Sequence, residues 1–124
     1  MYDFPKSERL HSKKCIAELF DKGSSITLYP IKVIYLVNPT DCLPINQVLV
    51  SAPKKFFKKA VDRNKIKRRI KEAYRLHKQI LVNQQTGFYF HIGYIYVGKE
   101  IASYQTIEEK LKQSLLRLKD RISG

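Results

Sequence analysis

One apolar segment in the last third of the chain limits the folds that are open to it. The segment FYFHIGYIYV (88–97) is apolar at odd and at even positions alike, with His91 inside it. Successive side chains of a strand point to opposite faces of its sheet, so this pattern predicts a strand covered on both faces. We therefore expect 88–97 to lie at the centre of a small sheet.

Capping and turn residues divide the rest of the chain into further elements. Ser12 and Gly23 bracket a first helix as its N-cap and the residue after its end. The β-branched runs 31–37 and 46–52 are separated by turn residues, and we expect them to pair as antiparallel strands. Periodicity predicts a helix over 60–82, and a last helix completes the order α-β-β-α-β-α. This order indicates an α+β fold in which a small mixed sheet packs with helices.

Both of these later helices have one apolar face. In the helix over 60–82 that face consists of Ile66, Ile70, Ala73, Tyr74, His77 and Leu81. The last helix opens with Thr106 and Glu109 in capping-box spacing. Its apolar face consists of Ile107, Leu111, Leu115, Leu118 and Ile122. With 124 residues, we expect a single domain over 1–124, in which 1–11 is an N-terminal arm.

The opposite side of the 60–82 helix is strongly basic. The segment 54–78 contains 12 of the 24 Lys and Arg residues but only two acids, Asp62 and Glu72. At 100° per residue, one stripe along the helix contains Asn64, Lys67, Arg68, Lys71, Arg75 and Lys78. Like charges three and four residues apart repel one another. Because the chain also has a formal net charge of +13, we expect nucleic acid to bind this stripe.

The approach to this helix extends the basic surface. The sequence KKFFKK places four lysines around two aromatic residues: Lys54, Lys55, Phe56, Phe57, Lys58 and Lys59. We expect at least one of the phenylalanines to anchor this loop to the core. The sequence RNK (63–65) lies near the start of the helix. Its Arg63 can bind phosphate, and its Asn64 can bind a base or a 2′-OH.

Several other classes of function are disfavoured. The N-terminal segment has no apolar signal sequence, and the longest apolar run is too short to span a bilayer, so we expect a cytoplasmic protein without membrane association. Cys15 and Cys42 form no CxxC pair, and His11, His77 and His91 lack ligand spacing, so we expect neither a disulfide nor a metal site. The 11 acids are scattered, so we expect no catalytic site in the protein itself.

The segment AVDRNKIKRRIKEAYRL (60–76) resembles the signature of the protein subunit of bacterial ribonuclease P. The similarity extends to DFPKSERL, IAELFDKGSS, VLVSAPKK and YIYVGKEIASYQTIEEKL. It implies an accessory protein that binds the ribonuclease P RNA and the 5′ leader of precursor tRNA, while the RNA removes the leader with Mg²⁺. No cofactor of the protein's own and no obligatory protein partner are implied. The implied fold is that of the second domain of a small-subunit ribosomal protein, with a left-handed βαβ crossover.

The resemblance also implies roles for particular residues. The set implied to contact RNA is Arg63, Asn64, Lys65, Lys67, Arg68, Lys71 and Arg75 in the helix, with Lys54, Lys55, Lys58 and Lys59 in the loop. A cleft between the first helix and the sheet would hold the single-stranded leader, and its candidates are Phe20, Ile16, Ile34 and Tyr35. Ile16 and Ile34 stand where the family has aromatic residues, and we expect Tyr35 to face the other way.

A ribosomal or ribosome-assembly protein is the alternative, since it would have the same size, charge and α+β build. The spacing of RNKIKR and a cleft lined by Phe20 distinguish the two. A protein that reads double-stranded DNA would need short side chains along the helix to reach base edges. The stripe has one such residue, Asn64.

Overall fold

The structure is a computed structural model that describes residues 6–39, 42, 45–82 and 88–123. Its elements, in chain order, are a short 3₁₀ helix (Lys6–Glu8), α1 (Lys13–Lys22), β1 (Ser24–Leu28), β2 (Ile31–Val37), β3 (Gln47–Ser51), α2 (Ala60–His77), α3 (Gln79–Val82), β4 (Phe90–Tyr96) and α4 (Tyr104–Ser123). In this part of the chain, no helix has the length and apolarity that crossing a membrane requires.

The four strands form one mixed sheet in the order β1-β2-β4-β3. β2 pairs antiparallel with β1 and with β4, whereas β3 pairs in parallel with β4. The central position predicted for 88–97 is confirmed, because β4 is bonded on both sides. β3 and β4 are parallel neighbours joined through α2, which gives the βαβ crossover that the resemblance implied.

Two expectations about the strands are wrong. β2 and β3 are not antiparallel partners, because β4 lies between them. A fourth strand, β1, was not expected. Its sequence SSITL has polar side chains at three of five positions, and its pairing with β2 makes it an edge strand with few residues to bury.

The two faces of the sheet are covered by different helices. α2 and α4 cover one face and bury the larger core with it. α1 covers the other face, where Leu19 and Ile34 belong to a smaller apolar cluster. Along β4, the larger core receives Phe90, Ile92, Tyr94 and Tyr96. The intervening His91, Gly93 and Ile95 therefore face α1, which explains the apolar residues at both parities.

The predicted ends of α1 are confirmed. Ser12 caps the helix, since its Oγ accepts a hydrogen bond from the backbone N–H of Cys15 at 3.3 Å. At the other end, the N–H of Gly23 donates to the carbonyl of Leu19 at 2.8 Å. A Cβ atom at Gly23 would lie 2.4 Å from that carbonyl oxygen and 2.9 Å from Cγ2 of Ile34, so the close approach of helix and sheet requires glycine there.

The predicted helix over 60–82 is interrupted at Lys78, which separates α2 from α3. Most of its expected core face is buried: Ile66, Ile70, Ala73, Tyr74 and Leu81. His77 is the exception. Its side chain is 23% exposed and pairs with Glu108 of α4 across 3.1 Å. It lies at the edge of the contact between α2 and α4 rather than in the core.

α4 begins at Tyr104, three residues before the start that a cap at Thr106 predicts. The cap is Ser103, whose Oγ accepts a hydrogen bond from the backbone N–H of Thr106 at 3.2 Å. Thr106 is therefore inside the first turn and is not the N-cap. The expected apolar face is otherwise fully buried, at Ile107, Leu111, Leu115 and Leu118. The side chain of Ile122 lies outside the described part of the structure.

The expectation that the cysteines are unpaired is wrong. Cys15 and Cys42 form a disulfide, with their Cα atoms 6.5 Å apart. The bond joins the first turn of α1 to the connection between β2 and β3. Fold topology brings the two residues together although 27 positions separate them in the sequence.

Candidate nucleic-acid interface

The outer side of α2 and the N-terminal arm form a basic groove. This open groove of about 480 Å³ is lined by Arg9, Asn64, Lys67, Arg68, Lys71, Glu72 and Arg75. Partial burial, followed by the charges of Arg9 and Lys67, lowers the pKa of Lys71. Both causes make the charged form of Lys71 less favourable, and an anion placed in the groove would stabilise that charged form.

At one end of this groove, Arg75 forms an ion pair with Glu72. Its Nε donates to Oε2 of Glu72 at 3.3 Å, and its Nη2 donates to the other carboxylate oxygen. These hydrogen bonds hold the pKa of the Glu72 carboxyl below its usual value. The middle of the groove, at Lys67, Arg68 and Lys71, therefore contributes more net positive charge than the end at Arg75.

Arg63 holds the basic loop rather than facing the groove. Its Nη1 donates to the backbone carbonyls of Phe57 at 2.9 Å and of Lys58 at 2.8 Å. Phe57 is 9% exposed and packs against Tyr96, with the ring centroids 5.8 Å apart. The prediction that at least one phenylalanine anchors the loop is confirmed. The four loop lysines are exposed: Lys54, Lys55, Lys58 and Lys59.

Two other lysines of the basic segment lie outside the groove. Lys78 was placed on the stripe by its helical angle, but it is only 7% exposed and its Nζ donates to both carboxylate oxygens of Glu8 at 3.1 Å. Its expected place on the basic stripe is wrong. Lys65 is partly buried on another side of α2 and does not line the groove.

The candidate leader cleft lies where α1 crosses the sheet. Phe20 is 48% exposed on α1, while Ile16 and Ile34 pack with the small apolar cluster below it. Tyr35 points to the opposite face, into the larger core, with the guanidinium carbon of Arg121 5.4 Å from its ring centroid. The expectation that Tyr35 faces the other way is confirmed, so Tyr35 does not belong among the cleft candidates.

Some residues of both surfaces were missed in the sequence. Arg9 reaches the groove because its segment forms a β-bridge with Val48 of β3, a contact that no local pattern indicates. Leu49 of β3 and Ile95 of β4 are partly buried on the α1 face. Side chains of a strand alternate between the two faces of the sheet. Counting from the core residues of each strand could therefore have placed Leu49 and Ile95 on the α1 face.

One buried polar side chain also faces α1. His91 is 0% exposed, and neither of its ring nitrogens has a hydrogen-bond partner among the described residues. Burial lowers the pKa of His91, and the nearby charge of Glu18 partly opposes that shift. The imidazole is therefore neutral at physiological pH.

Comparison with known proteins identifies the family. The ribonuclease P family model matches residues 4–119, which is nearly the whole chain. The chain belongs to the ribonuclease P protein family. It is similar to the ribonuclease P protein component of Porphyromonas gingivalis, with 35% identity over 119 residues that cover 94% of this chain and 87% of that protein. The corresponding protein of Borrelia hermsii is 34% identical over 112 residues, which cover 90% of this chain and 92% of the relative.

Solved structures of ribonuclease P proteins have the same fold. The protein from Thermotoga maritima, in complex with 1-(4-fluorophenyl)-2-thiourea, superposes with a TM-score of 0.70 at 28% identity and covers 88% of this chain and 98% of its own. A Staphylococcus aureus mutant protein gives a TM-score of 0.74 at 23% identity, covering 93% and 90%. Because the identity to the Staphylococcus aureus protein is only 23%, this similarity supports the fold alone.

Family membership decides between the two functions left open by the sequence. The chain is an RNA-binding protein component of ribonuclease P, a ribonucleoprotein nuclease of tRNA processing, and its partner is the ribonuclease P RNA. Nothing among its relatives supports the ribosomal alternative.

Proposed function

We propose that this protein is the accessory subunit of an RNA-catalysed endoribonuclease that removes the 5′ leader from precursor tRNA. In this proposal the RNA hydrolyses the phosphodiester with Mg²⁺ that the RNA itself holds. The protein binds no cofactor for this reaction, needs no protein partner and acts in the cytoplasm. The observation that carries the proposal is the groove of unbalanced positive charge between α2 and Arg9.

The groove and the loop act on RNA phosphates. Lys67, Arg68 and Lys71 lie along the groove, and the exposed loop lysines extend the positive surface beyond the start of α2. Each phosphate that these cations neutralise releases condensed counterions, which favours association. RNA phosphates would also raise the pKa of Lys71 again, because opposite charge stabilises its protonated form.

The cleft beside α1 acts on the leader. A single-stranded leader exposes its bases, and an exposed aromatic ring can stack on one of them. Phe20 offers such a ring at the cleft, whereas Ile16 and Ile34 offer an apolar floor. The leader therefore gains one stacking contact in addition to apolar packing. The cleft adds affinity for the precursor without taking part in the chemistry.

The test is cleavage of a precursor tRNA at low Mg²⁺ by the ribonuclease P RNA alone, by this protein alone and by both together. We expect release of the 5′ leader only with both. The RNA must come from the same organism, and a tRNA without a leader serves as the control substrate. Cleavage by the protein alone, or no stimulation of the RNA, would contradict the proposal.

A further inference from the structure

Three ligand-type side chains meet below the first turn of α1. Cys15 comes from α1, Cys42 from the connection between β2 and β3, and His91 from the central strand β4. Two sulphur atoms and one ring nitrogen of these residues all lie within 4.8 Å of one another. Cys15 is 4% exposed and His91 is 0% exposed, whereas Cys42 is only partly buried, so two of the three side chains are shielded from water. Three separate parts of the chain therefore converge on one small buried site.

The buried imidazole of His91 calls for a polar partner or an ion. Buried polar groups nearly always have a partner, and a group without one calls for an explanation such as a bound ion. Both ring nitrogens of His91 lack a hydrogen bond within the described residues. The apolar cluster on this face of the sheet includes Leu10, Leu19 and Ile34, and the charge of Glu18 also acts on His91. The two sulphur atoms lie within 4.8 Å of a ring nitrogen of this imidazole and could share a ligand with it.

We propose that Cys15, Cys42 and His91 bind one Zn²⁺ when the disulfide is reduced. Two thiolates and one imidazole are three of the four ligands of a tetrahedral zinc site, at about 2.3 Å for sulphur and 2.0 Å for nitrogen. The two thiolate charges neutralise the charge of the ion, so a site with these three ligands has no net charge and is compatible with burial. The ion would join α1 to β4 and would set the position of one wall of the leader cleft.

The change from disulfide to metal site balances as follows. A dithiol reductant gives two electrons and two protons to the disulfide, which becomes two thiols, while the reductant becomes a disulfide. Zn²⁺ then replaces the two thiol protons, which are released to solvent. In the oxidised protein the sulphur atoms are bonded to one another, so the thiolate ligands do not exist and the site does not form.

The test uses the reduced full-length protein, kept reduced by a phosphine that does not compete for metal. Zn²⁺ is titrated against a chromophoric chelator, and Co²⁺ is used as a spectroscopic probe. We expect one Zn²⁺ per chain and a thiolate-to-cobalt charge-transfer band. Zn²⁺ at a hundredfold excess over its Kd should raise Tm by about 10 °C. The oxidised protein should do none of these.

Variants locate the ion. His91→Leu puts an apolar side chain in place of the imidazole. It should weaken Zn²⁺ binding at least about a hundredfold, because even indirect partners of a metal ligand are worth ten- to a hundredfold. Cys42→Ser should weaken it as much. His77→Gln removes an imidazole outside the cluster and should bind like the unchanged protein. The proposal is wrong if the reduced protein binds no Zn²⁺, or if His91→Leu binds it as tightly as the unchanged protein. Because the site is separate from the basic groove, either result leaves the proposed RNA function intact.

Discussion

At the scale of single residues, Arg63 lies where the basic loop meets α2, and its guanidinium binds that loop. The two acceptors are consecutive backbone carbonyls, those of Phe57 and Lys58. A planar guanidinium presents several donors in a fixed geometry, whereas a lysine ammonium is a compact point charge on a flexible stem. The charge of Arg63 is therefore less important to the loop than its shape.

Replacing Arg63 with lysine tests this role. Arg63→Lys keeps the charge but loses the fork, so we expect the free energy of unfolding to fall by about 1–2 kcal/mol. Arg68→Lys is the matched control, because Arg68 is exposed in the groove and should change stability by less than about 0.5 kcal/mol. Urea denaturation measures both. If the two variants lost equal stability, the structural role assigned to Arg63 would be wrong.

Single residues also mark where local sequence patterns stop being informative. The helical angle of Lys78 is that of a stripe residue, yet Lys78 is buried against Glu8, 70 positions earlier in the chain. Ile34 and Tyr35 are adjacent, and both are buried. They belong to different apolar clusters because they face opposite sides of the sheet. The basic groove could be predicted as a surface, but its members depended on partners that are distant in sequence.

At the scale of elements, α1 displays an aromatic ring that the core does not need. Phe20 is 48% exposed, so Phe20→Ala should cost far less stability than removal of the buried Phe57 ring. If one leader base stacks on Phe20, the variant should bind leader-bearing precursor about tenfold more weakly. Binding of tRNA without a leader should not change. The measurement is the affinity of the reconstituted ribonucleoprotein for the two substrates.

Leu116→Ala provides the control for this change. Leu116 is 42% exposed on α4, away from the cleft, and it loses a similar apolar side chain. It should bind both substrates like the unchanged protein. An equal loss of affinity for both substrates in Phe20→Ala would show that its effect is general rather than specific to the leader.

The basic side of α2 predicts a measurable salt dependence. Each phosphate contact adds roughly 0.7–0.9 to the slope of log affinity against log salt concentration. Lys67→Ala combined with Lys71→Ala should therefore lower the slope for binding the ribonuclease P RNA by one to two units. The control removes two exposed cations of α4, with Lys112→Ala and Arg117→Ala, and should leave the slope unchanged. If both pairs reduced the slope equally, only net charge would matter and α2 would not be the interface.

Helices and strands that depend on local signals were predicted better than strand pairings that depend on distant parts of the chain. The bounds of α1 depend on Ser12 and Gly23, which act within one turn, so the sequence alone predicted them. β4 was recognised because burial on both faces leaves a continuous apolar run. The partner of β3 is set by the crossover through α2, a long-range constraint, and its parallel pairing with β4 was missed.

At the scale of the whole molecule, the charge needed to bind RNA opposes folding of the free protein. The formal net charge is +13, and much of it lies along one helix and its preceding loop. Like charges in a compact state repel one another, and salt screens that repulsion. Higher salt should therefore stabilise the free protein while it weakens RNA binding. Partial burial is the main cause of the lowered pKa of Lys71, and repulsion from Arg9 and Lys67 adds to it.

Reversing one charge separates the two effects. Lys67→Glu places a carboxylate four residues before Lys71, where the helical pair is attractive instead of repulsive. We expect the free variant to be more stable at low salt by about 0.5–1 kcal/mol, with a smaller gain at high salt. Leader cleavage at low Mg²⁺ should fall, because a phosphate contact is replaced by repulsion. Arg117→Glu on α4 changes the net charge equally and should leave cleavage unaltered. A variant that gained stability without losing cleavage would exclude Lys67 from the RNA interface.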